Sequence, residues 1–317
     1  MGVEKHPASH NIHSSLPQPM ASILVFHEPT FSRRSVVVRE LKRVDDLKST
    51  LRLDIVDVEP VHEGNCYIYY GNLIVEDRPS RKVVCKVGYL RSASLRLQKE
   101  AGFYAKELKE FQGDTIPVCY GLFSGEMEEG TASCLVTEYC GEMMKCPLFG
   151  MDWEFKQKVI QALVDIHWAG VKHNDFSERN IVVNSDNQPF IIDFDHAEPH
   201  ECGLTMSIEF HTQEPDPDEL GCLELYKVTN NSGAWFPRYI RYMHADVPVA
   251  WALDGPERLA NVVSPASPGY NRDFVLKRRS ELSKNSTGIS IGDLLVNGEI
   301  SRVQKQSFSI SIGMTFL

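Results

Sequence analysis

The stretch GVKHNDFSERNIVVNSDNQPFIIDFDHAE, from Gly170 to Glu198, places polar side chains at set intervals around two short apolar runs. Asp175 and Asn180 are five residues apart, and Asp193 follows thirteen residues after Asn180, just past the second apolar run. A loop that carries the first two, joined through a hairpin to the third, would bring all three side chains into one cleft. Loop decoration, a metal cluster and a catalytic loop all remain compatible with this spacing, so the rest of the chain has to decide.

The composition is that of an acidic globular chain of 317 residues, with 42% hydrophobic residues and a formal net charge of −10. This length can bury a sizeable core, and two domains or lobes are expected. The acidic balance argues against nucleic-acid or anionic-membrane partners, which call for basic patches. No apolar run approaches the ~20 residues of a membrane span, and the first twenty residues lack the apolar centre of a secretory signal. We therefore predict neither nucleic acid nor a membrane as partner.

Eight cysteines occur without a C-x-x-C pair, and most of them lie in apolar segments such as VVCKV and SCLVTEYC. This usage favours buried free thiols in a reducing compartment over disulfides or zinc. An intracellular, cytoplasmic location is therefore expected.

Residues 54–139 predict a five-stranded sheet with one helix. The strand candidates are rich in Val, Ile and Tyr, as strands are: DIVDVEPV, CYIYYGNLIV, KVVCKVGYL, TIPVCYGLF and ASCLVTEY. The helix candidate between the third and fourth is SASLRLQKEAGFYAKELKEF, which has an apolar stripe at helical spacing and Ser92 or Ser94 as a cap. Two earlier runs, ILVF and SVVVREL, look like strands but have no predicted place.

After Gly141 the pattern becomes helical. DWEFKQKVIQALVDIHWAG predicts a helix that Asp152 caps and Gly170 ends. NIVV and FIIDF predict a hairpin across NSDNQP, and PDELGCLELYKV predicts a further helix. The apolar segment beyond residue 230 is expected to pack as helices.

The opening stretch has the residue types that phosphoryl transfer from ATP requires. A carboxylate must take the proton of the acceptor hydroxyl, oxygen ligands must hold Mg²⁺, and a cation must steady the phosphates. Asp and Asn suit Mg²⁺ because this hard cation prefers oxygen ligands.

HNDFSERN resembles the catalytic loop of the protein-kinase-like superfamily, H-x-D-x-x-x-x-N, and IIDFD resembles its metal-binding D-F-G segment. The resemblance implies Asp175 as the base, Asn180 and Asp193 as Mg²⁺ ligands, and ATP as phosphoryl donor. VVCK resembles the V-A-I-K strand, which implies Lys86 as the phosphate-binding lysine, with Glu100 on the following helix as its partner.

Two further segments resemble the nucleotide-binding parts of that superfamily. LVTEYCG resembles the strand that leads into the hinge, where the backbone from Glu138 to Cys140 would bind adenine. VHEGNCYIYYGNL resembles a glycine-rich loop, of which Gly64 and Gly71 remain. The implied fold is α+β and bilobal, with a small five-stranded β lobe and one helix followed by a larger, mainly helical lobe.

The resemblance also fixes the expected domain boundaries. Residues 1–50 would be an N-terminal extension, partly disordered because residues 1 to about 20 are polar and rich in His, Ser and Pro, and residues 51–139 would be the kinase-like N-lobe. Residues 140–270 would form the C-lobe, and residues 271–317 a tail.

Departures from the superfamily pattern leave the substrate and the activity open. Cys66 and Tyr67 would crowd the phosphates, and Asp195 stands where the metal segment has glycine. HND…N with IDFD is similar to the choline kinase and aminoglycoside phosphotransferase branch. The segments LKEFQGDTIPVCYGLF and LVTEYCG are similar to divergent fungal protein-kinase-like proteins. The acceptor is a hydroxyl of a protein or a small molecule, and the oligomeric state is open. The alternative function is a pseudokinase that acts as a binding or scaffold module.

Each candidate residue also has an ordinary interpretation. Lys86 could be a solvent-facing strand lysine, and Glu100 competes with the neighbouring Glu107 and Glu110. His173 is expected to support its loop rather than act as a base. A zinc cluster is a further alternative, for which the candidates are Asp193, Asp195, His196, His200 and Cys202.

Overall fold

Seven strands form a closed barrel in the computed structural model, which describes residues 21–29, 35–44, 51–75, 79–242 and 245–249. The barrel strands are β1 (Ile23–Pro29), β2 (Val36–Arg43), β3 (Arg52–His62), β4 (Tyr67–Ile74), β5 (Arg81–Gly88), β6 (Cys119–Met127) and β7 (Gly130–Glu138). Their order around the barrel is β1-β2-β6-β7-β5-β4-β3. All neighbours are antiparallel except β1 and β3, which run parallel.

The barrel interior is filled by side chains that alternate along the strands, as the two-residue period of a strand requires. On β1 the inward positions include Leu24 and Phe26, and on β2 Leu41; all three are fully buried. Glu28 is also buried, and its carboxylate accepts hydrogen bonds from Arg39 Nε at 2.7 Å and from the backbone N–H of Glu128 at 2.9 Å. These contacts tie the first two strands to the turn between β6 and β7.

The helix α1 (Arg91–Ala105) follows β5, and a short 3₁₀ turn spans Lys109–Phe111. After the barrel come β8 (Glu142–Met143), a 3₁₀ turn (Leu148–Gly150), α2 (Trp153–Trp168), β9 (Val171–Lys172), a 3₁₀ turn (Glu178–Asn180), β10 (Ile181–Val183), β11 (Pro189–Ile191) and β12 (Glu198–Pro199). The strands β11, β10 and β8 form one small sheet, and β12 pairs with β9 in another. The predicted hairpin of NIVV and FIIDF is the antiparallel pair β10–β11.

The chain divides into two compact units, Met1–Cys202 and Gly203–Leu317. In the second unit the structure describes α3 (Pro217–Leu220), α4 (Leu223–Asn231), β13 (Tyr239–Tyr242) and β14 (Ala245–Pro248). The single helix predicted for PDELGCLELYKV is wrong, because Gly221 takes φ +83° and separates α3 from α4. The helices expected after residue 230 are also wrong for 239–248, where β13 and β14 form an antiparallel hairpin.

The predicted bilobal, protein-kinase-like architecture is wrong. The β part is a closed barrel of seven strands rather than a five-stranded lobe, because β1 and β2 close the sheet between β3 and β6. The larger, mainly helical lobe is not found either, since the part of the chain that the structure describes contains four α-helices among mostly strands. The disorder expected for residues 1–20 and the tail expected for residues 271–317 lie outside the described residues. The domain boundaries stay predictions.

Among the described segments, no helix is long and apolar enough to cross a membrane.

Candidate active site

An ion-paired triad links the barrel, α1 and the segment after β11. Lys86 projects from β5, and its Nζ lies 2.9 Å from Glu100 Oε2 and 2.5 Å from Asp193 Oδ1. The carboxylate of Glu100 is buried on α1, and its other oxygen accepts a hydrogen bond of 3.3 Å from the backbone N–H of Phe194. The competing Glu107 and Glu110 are exposed. The structure thus brings Lys86, Glu100 and Asp193 together, and it does not support the solvent-facing interpretation of Lys86, whose side chain is 17% exposed.

The charges of the triad set each other's protonation states. Burial alone would lower the pKa of Lys86, but the carboxylates of Glu100 and Asp193 outweigh it and raise that pKa above its ordinary value. Burial would raise the pKa of Asp193, but the Lys86 ammonium reverses this and lowers it. For Glu100, burial dominates over Lys86, and its pKa is raised. Lys86 therefore stays cationic and Asp193 anionic at neutral pH.

Asp175 and Asn180 lie together on the loop between β9 and β10. Asn180 is buried, and its Nδ2 donates to the backbone carbonyl of Asp175 at 2.8 Å and to Asp175 Oδ2 at 3.3 Å. Because its amide nitrogen is engaged in this way, its side-chain oxygen is the atom that it can offer to a metal. The Asp175 carboxylate also accepts a hydrogen bond of 2.5 Å from Nη2 of Arg179, four residues further along the loop. The Asp175–Arg179 contact was not foreseen from the sequence.

Backbone and ring contacts hold this loop against the segment of Asp193. The Ile192 N–H donates to the Asn180 carbonyl at 3.0 Å. His173 is fully buried, and its Nε2 lies 3.1 Å from the Ile192 carbonyl, which can only accept, so Nε2 carries the proton. The His173 ring also lies 5.2 Å from that of Phe194. These contacts correspond to the supporting role expected for His173.

Two residues of the site adopt backbone conformations that L-residues rarely take. Asn174 has φ +63° and Asp193 has φ +69°. Asn and Asp enter this left-handed region more easily than most residues, yet each still costs on the order of 1 kcal/mol. The left-handed backbone sets the direction in which each side chain leaves the chain, as it also does at Asp57, Asn187 and His211 outside the site.

The loop expected to cover phosphates places a thiol near the triad. Gly64 lies in the connection between β3 and β4, and Cys66 packs against the cluster formed by Leu97, Leu122 and Leu135. Burial raises the pKa of the Cys66 thiol, while the nearby charge of Lys86 lowers it. The thiol therefore stays protonated beside the cation. The sequence predicts that Cys66 would crowd the phosphates, and its closeness to the phosphate-binding candidate Lys86 corresponds to that prediction.

Glu138, the first residue of the backbone expected to bind adenine, ends β7, and Tyr139 and Cys140 follow it. The N–H of Glu138 donates to the Val118 carbonyl at 2.8 Å, and the N–H of Tyr139 donates to the Lys82 carbonyl at 3.1 Å. Cys140 is buried against Val182 and Phe190. Two of the three N–H groups in the backbone expected to bind adenine are thus engaged within the protein, which leaves the N–H of Cys140 as the candidate donor.

Two residues of the site could supply oxygen ligands to a magnesium ion. Asp193 and Asn180 supply oxygen ligands of the kind that Mg²⁺ prefers, and Lys86 supplies a cation beside them. Asp193 is the more accessible ligand, with a side chain 34% exposed, so it can reach an incoming ion.

No protein-family model matches the chain, and no curated protein matches it.

Proposed function

We propose that the protein is an ATP- and Mg²⁺-dependent phosphotransferase that transfers the γ-phosphoryl group to a hydroxyl of a protein or a small molecule. The observation that carries this proposal is the Lys86–Glu100–Asp193 triad, with Asp175 and Asn180 on the adjoining loop. The resemblance of HNDFSERN and IIDFD to the protein-kinase-like superfamily supports it. The proposal rests on the site and not on the architecture, since function resides in the arrangement of specific residues.

Each residue of the site has a distinct task in this proposal. Asp175 accepts the proton of the acceptor hydroxyl, and the Lys86 ammonium, oriented by Glu100, binds phosphate oxygens. Asn180 and Asp193 hold Mg²⁺, which when bound neutralises charge on the phosphates. Arg179, paired with Asp175, adds positive charge where the transferred group gains negative charge.

Nucleotide binding requires one exchange within the triad. The direct contact between Lys86 and Asp193 uses groups that would bind phosphate and metal respectively. On binding, we expect Lys86 to keep Glu100 and to exchange Asp193 for phosphate oxygens, while Asp193 turns to the metal. The buried Glu100 retains its bond to the Phe194 N–H and holds the frame in place.

A second candidate is a scaffold module without catalysis. It is favoured by the Cys66 thiol beside Lys86 and by the hinge donors of Glu138 and Tyr139, which are already engaged. Both features reduce the room and the hydrogen bonds available to a nucleotide.

The first test is the thermal unfolding of the full chain with and without Mg·ATP. Ligand at about 100 times its dissociation constant stabilises a native protein by about 2.7 kcal/mol. We expect a metal-dependent rise in Tm for the wild type that is absent from the Asp193→Ala variant. The matched control is Asp186→Ala, an exposed aspartate on the turn of the β10–β11 hairpin, which should respond like the wild type. No rise in the wild type would favour the scaffold candidate.

The second test separates binding from chemistry. Asp175→Asn removes the proton acceptor but leaves the triad intact, so the Mg·ATP-dependent rise in Tm should persist. In a screen of hydroxyl acceptors that detects turnover, this variant should lose about 10²–10⁴-fold in kcat. Turnover that is indifferent to Asp175→Asn would remove the assigned base.

We also propose an intracellular, cytoplasmic location. ATP is abundant there, and all eight cysteines, which lie within the described segments, are without a disulfide.

A further inference from the structure

Three metal-ligating side chains gather at the C-terminal end of α2. They are His167, His200 and Cys202, and their ligand atoms lie within 4.8 Å of one another. The two imidazole rings are 5.0 Å apart between centroids and nearly perpendicular, at 82°. His167 is 1% exposed, and His200 and Cys202 are half-buried. This cluster takes no part in the phosphotransferase site proposed above.

The backbone holds the three residues in place from two sides. His167 belongs to the last turn of α2, and its carbonyl accepts a hydrogen bond of 3.0 Å from the Gly170 N–H. The Gly170 carbonyl in turn accepts one of 2.8 Å from the His200 N–H. The strand β12, which pairs with β9, ends directly before His200, and Cys202 lies two residues after His200. The positions of the ligands are thus set by a helix end and a strand pair.

The ligand chemistry points to zinc. Two imidazole nitrogens and a thiolate are ligands of the borderline-soft type that Zn²⁺ selects, and they do not suit Mg²⁺ or Ca²⁺. Bond lengths of about 2.0–2.3 Å around a tetrahedral zinc ion separate its ligand atoms by roughly 3.3–3.7 Å. The present cluster therefore has to contract by only about 1 Å. The C-terminal end of a helix also carries partial negative charge, which favours a cation.

The cluster differs from the zinc alternative that the sequence suggested. The candidates along the chain were Asp193, Asp195, His196, His200 and Cys202. Of these five residues, only His200 and Cys202 belong to the cluster that the described part of the chain forms. They lie beside His167, which belongs to α2. No spacing in the sequence connects His167 with the segment after β12, so only the folded chain reveals the set.

We propose that His167, His200 and Cys202 bind a zinc ion that fastens the segment after β12 to the end of α2. On binding, the Cys202 sulfur forms a bond to zinc and releases its proton to solvent, and each histidine donates a ring-nitrogen lone pair. A fourth position of the tetrahedron is left for a further ligand. The role is structural, and it is independent of Mg·ATP.

The test is zinc binding by the purified full chain after treatment with a chelator. The chain is titrated with zinc in competition with a chromophoric chelator, and one equivalent should bind per chain. Cys202→Ser and His200→Gln should weaken zinc binding by more than the about 10–100-fold that changes outside the ligand set cost. Cys146→Ser and His196→Gln are the matched controls, because both side chains are exposed, and they should bind like the wild type.

Two measurements keep the test independent of folding defects and of the phosphotransferase proposal. Cobalt added to the wild type should give the near-ultraviolet absorption of a thiolate–cobalt bond, and Cys202→Ser, shown to be folded by circular dichroism, should lack it. Asp193→Ala, which is expected to lose the response to Mg·ATP, should keep zinc. A wild type that binds no stoichiometric zinc, or a Cys202→Ser variant that binds it unchanged, would overturn the proposal.

Discussion

The Asp193 carboxylate makes the stability of the protein depend on acid pH. Burial favours its protonated form, but the Lys86 ammonium outweighs burial and lowers the pKa of Asp193 below its ordinary value of 3.8. As pH falls, the unfolded chain therefore takes up this proton first. The stability that the ion pair contributes is present above pH 3.8 and is lost as pH falls through the lowered pKa. We predict that Asp193→Asn is less stable than the wild type at pH 7 and that the difference narrows below about pH 4.

The size of this difference follows from the exposure of the pair. The Asp193 side chain is 34% exposed, so solvent screening limits the cost of Asp193→Asn to roughly 1–2 kcal/mol. Lys86 keeps Glu100 as a partner in the variant. Urea unfolding at several pH values is the suitable measurement, because urea adds no ionic screening. Asp186→Asn, on the exposed hairpin turn, should follow the wild type throughout. A difference that stays constant from pH 7 to pH 3 would show that Asp193 is not the titrating group.

At the level of residues, the sequence identified the residues of the candidate active site but not all of their contacts. The order along the chain and the resemblance named Lys86, Glu100 and Asp193, and the structure brings these three together. The contact of Arg179 with Asp175 was not predicted. It depends on how the loop turns and on which rotamer the arginine side chain takes. Residue spacing alone carries no information about either.

The short connection after β7 depends on a glycine. Gly141 has φ +114°, and a Cβ atom at this position would lie 1.9 Å from the Val183 carbonyl oxygen on β10. Because the obstacle is backbone, it cannot turn aside as a flexible side chain would. Gly141→Ala should therefore destabilise the protein by at least about 2 kcal/mol and disturb the pairing of β8 with β10. Since Gly141 follows Cys140, the variant should also weaken the proposed response to Mg·ATP.

A second glycine provides the matched control within the same unit. Gly102 lies inside α1, and a Cβ atom there meets nothing within 4 Å. Gly102→Ala should raise stability by about 0.5–1 kcal/mol, because alanine loses less conformational entropy in a helix. Chemical unfolding of both variants beside the wild type measures the two effects with opposite sign. A Gly141→Ala variant as stable as the wild type would show that the connection can move away from β10.

At the level of elements, local signals were reliable where the stabilising contact is itself local. Asp152 caps α2 by accepting a hydrogen bond of 2.8 Å from the Phe155 N–H, and Gly170 has the positive φ, +88°, expected just past a helix end. The predicted serine cap of α1 is wrong, since the helix is capped at Leu90 without a side-chain bond, and Ser94 Oγ instead donates to the Gly88 carbonyl. The start of α1 is therefore set by the backbone that leads out of β5 and not by a side-chain cap.

At the level of the whole molecule, the closure of the barrel could not be predicted from the sequence. The runs ILVF and SVVVREL were recognised as strand-like, but no local pattern states that β1 pairs in parallel with β3 or that β2 reaches β6. Such pairings join residues far apart in the chain, and their energy comes from side chains that meet only after folding. The resemblance to a known superfamily covered residues from about 50 onward, so it gave no place to these two strands.

The first two strands should therefore be indispensable for the fold. A chain that begins at residue 51 lacks β1 and β2 and loses Leu24, Phe26 and Leu41 from the barrel core. Burial of three such side chains contributes roughly 5–9 kcal/mol, which is comparable to the whole stability of a typical domain. The edges of β3 and β6 would also lose their partners and become open to association. We expect the 51–317 chain to aggregate or to show no cooperative unfolding by circular dichroism and size-exclusion chromatography.

The matched control is a chain that begins at residue 21 and keeps all seven barrel strands. This variant should unfold in urea at the same midpoint as the full chain, because no residue of the described barrel is removed. If the 51–317 chain instead unfolds cooperatively at the midpoint of the full chain, the barrel core does not need β1 and β2. Residues 1–50 would then be the separate extension that the sequence suggested. The comparison decides whether closure of the sheet or the five later strands alone position Lys86 for its contacts with Glu100 and Asp193.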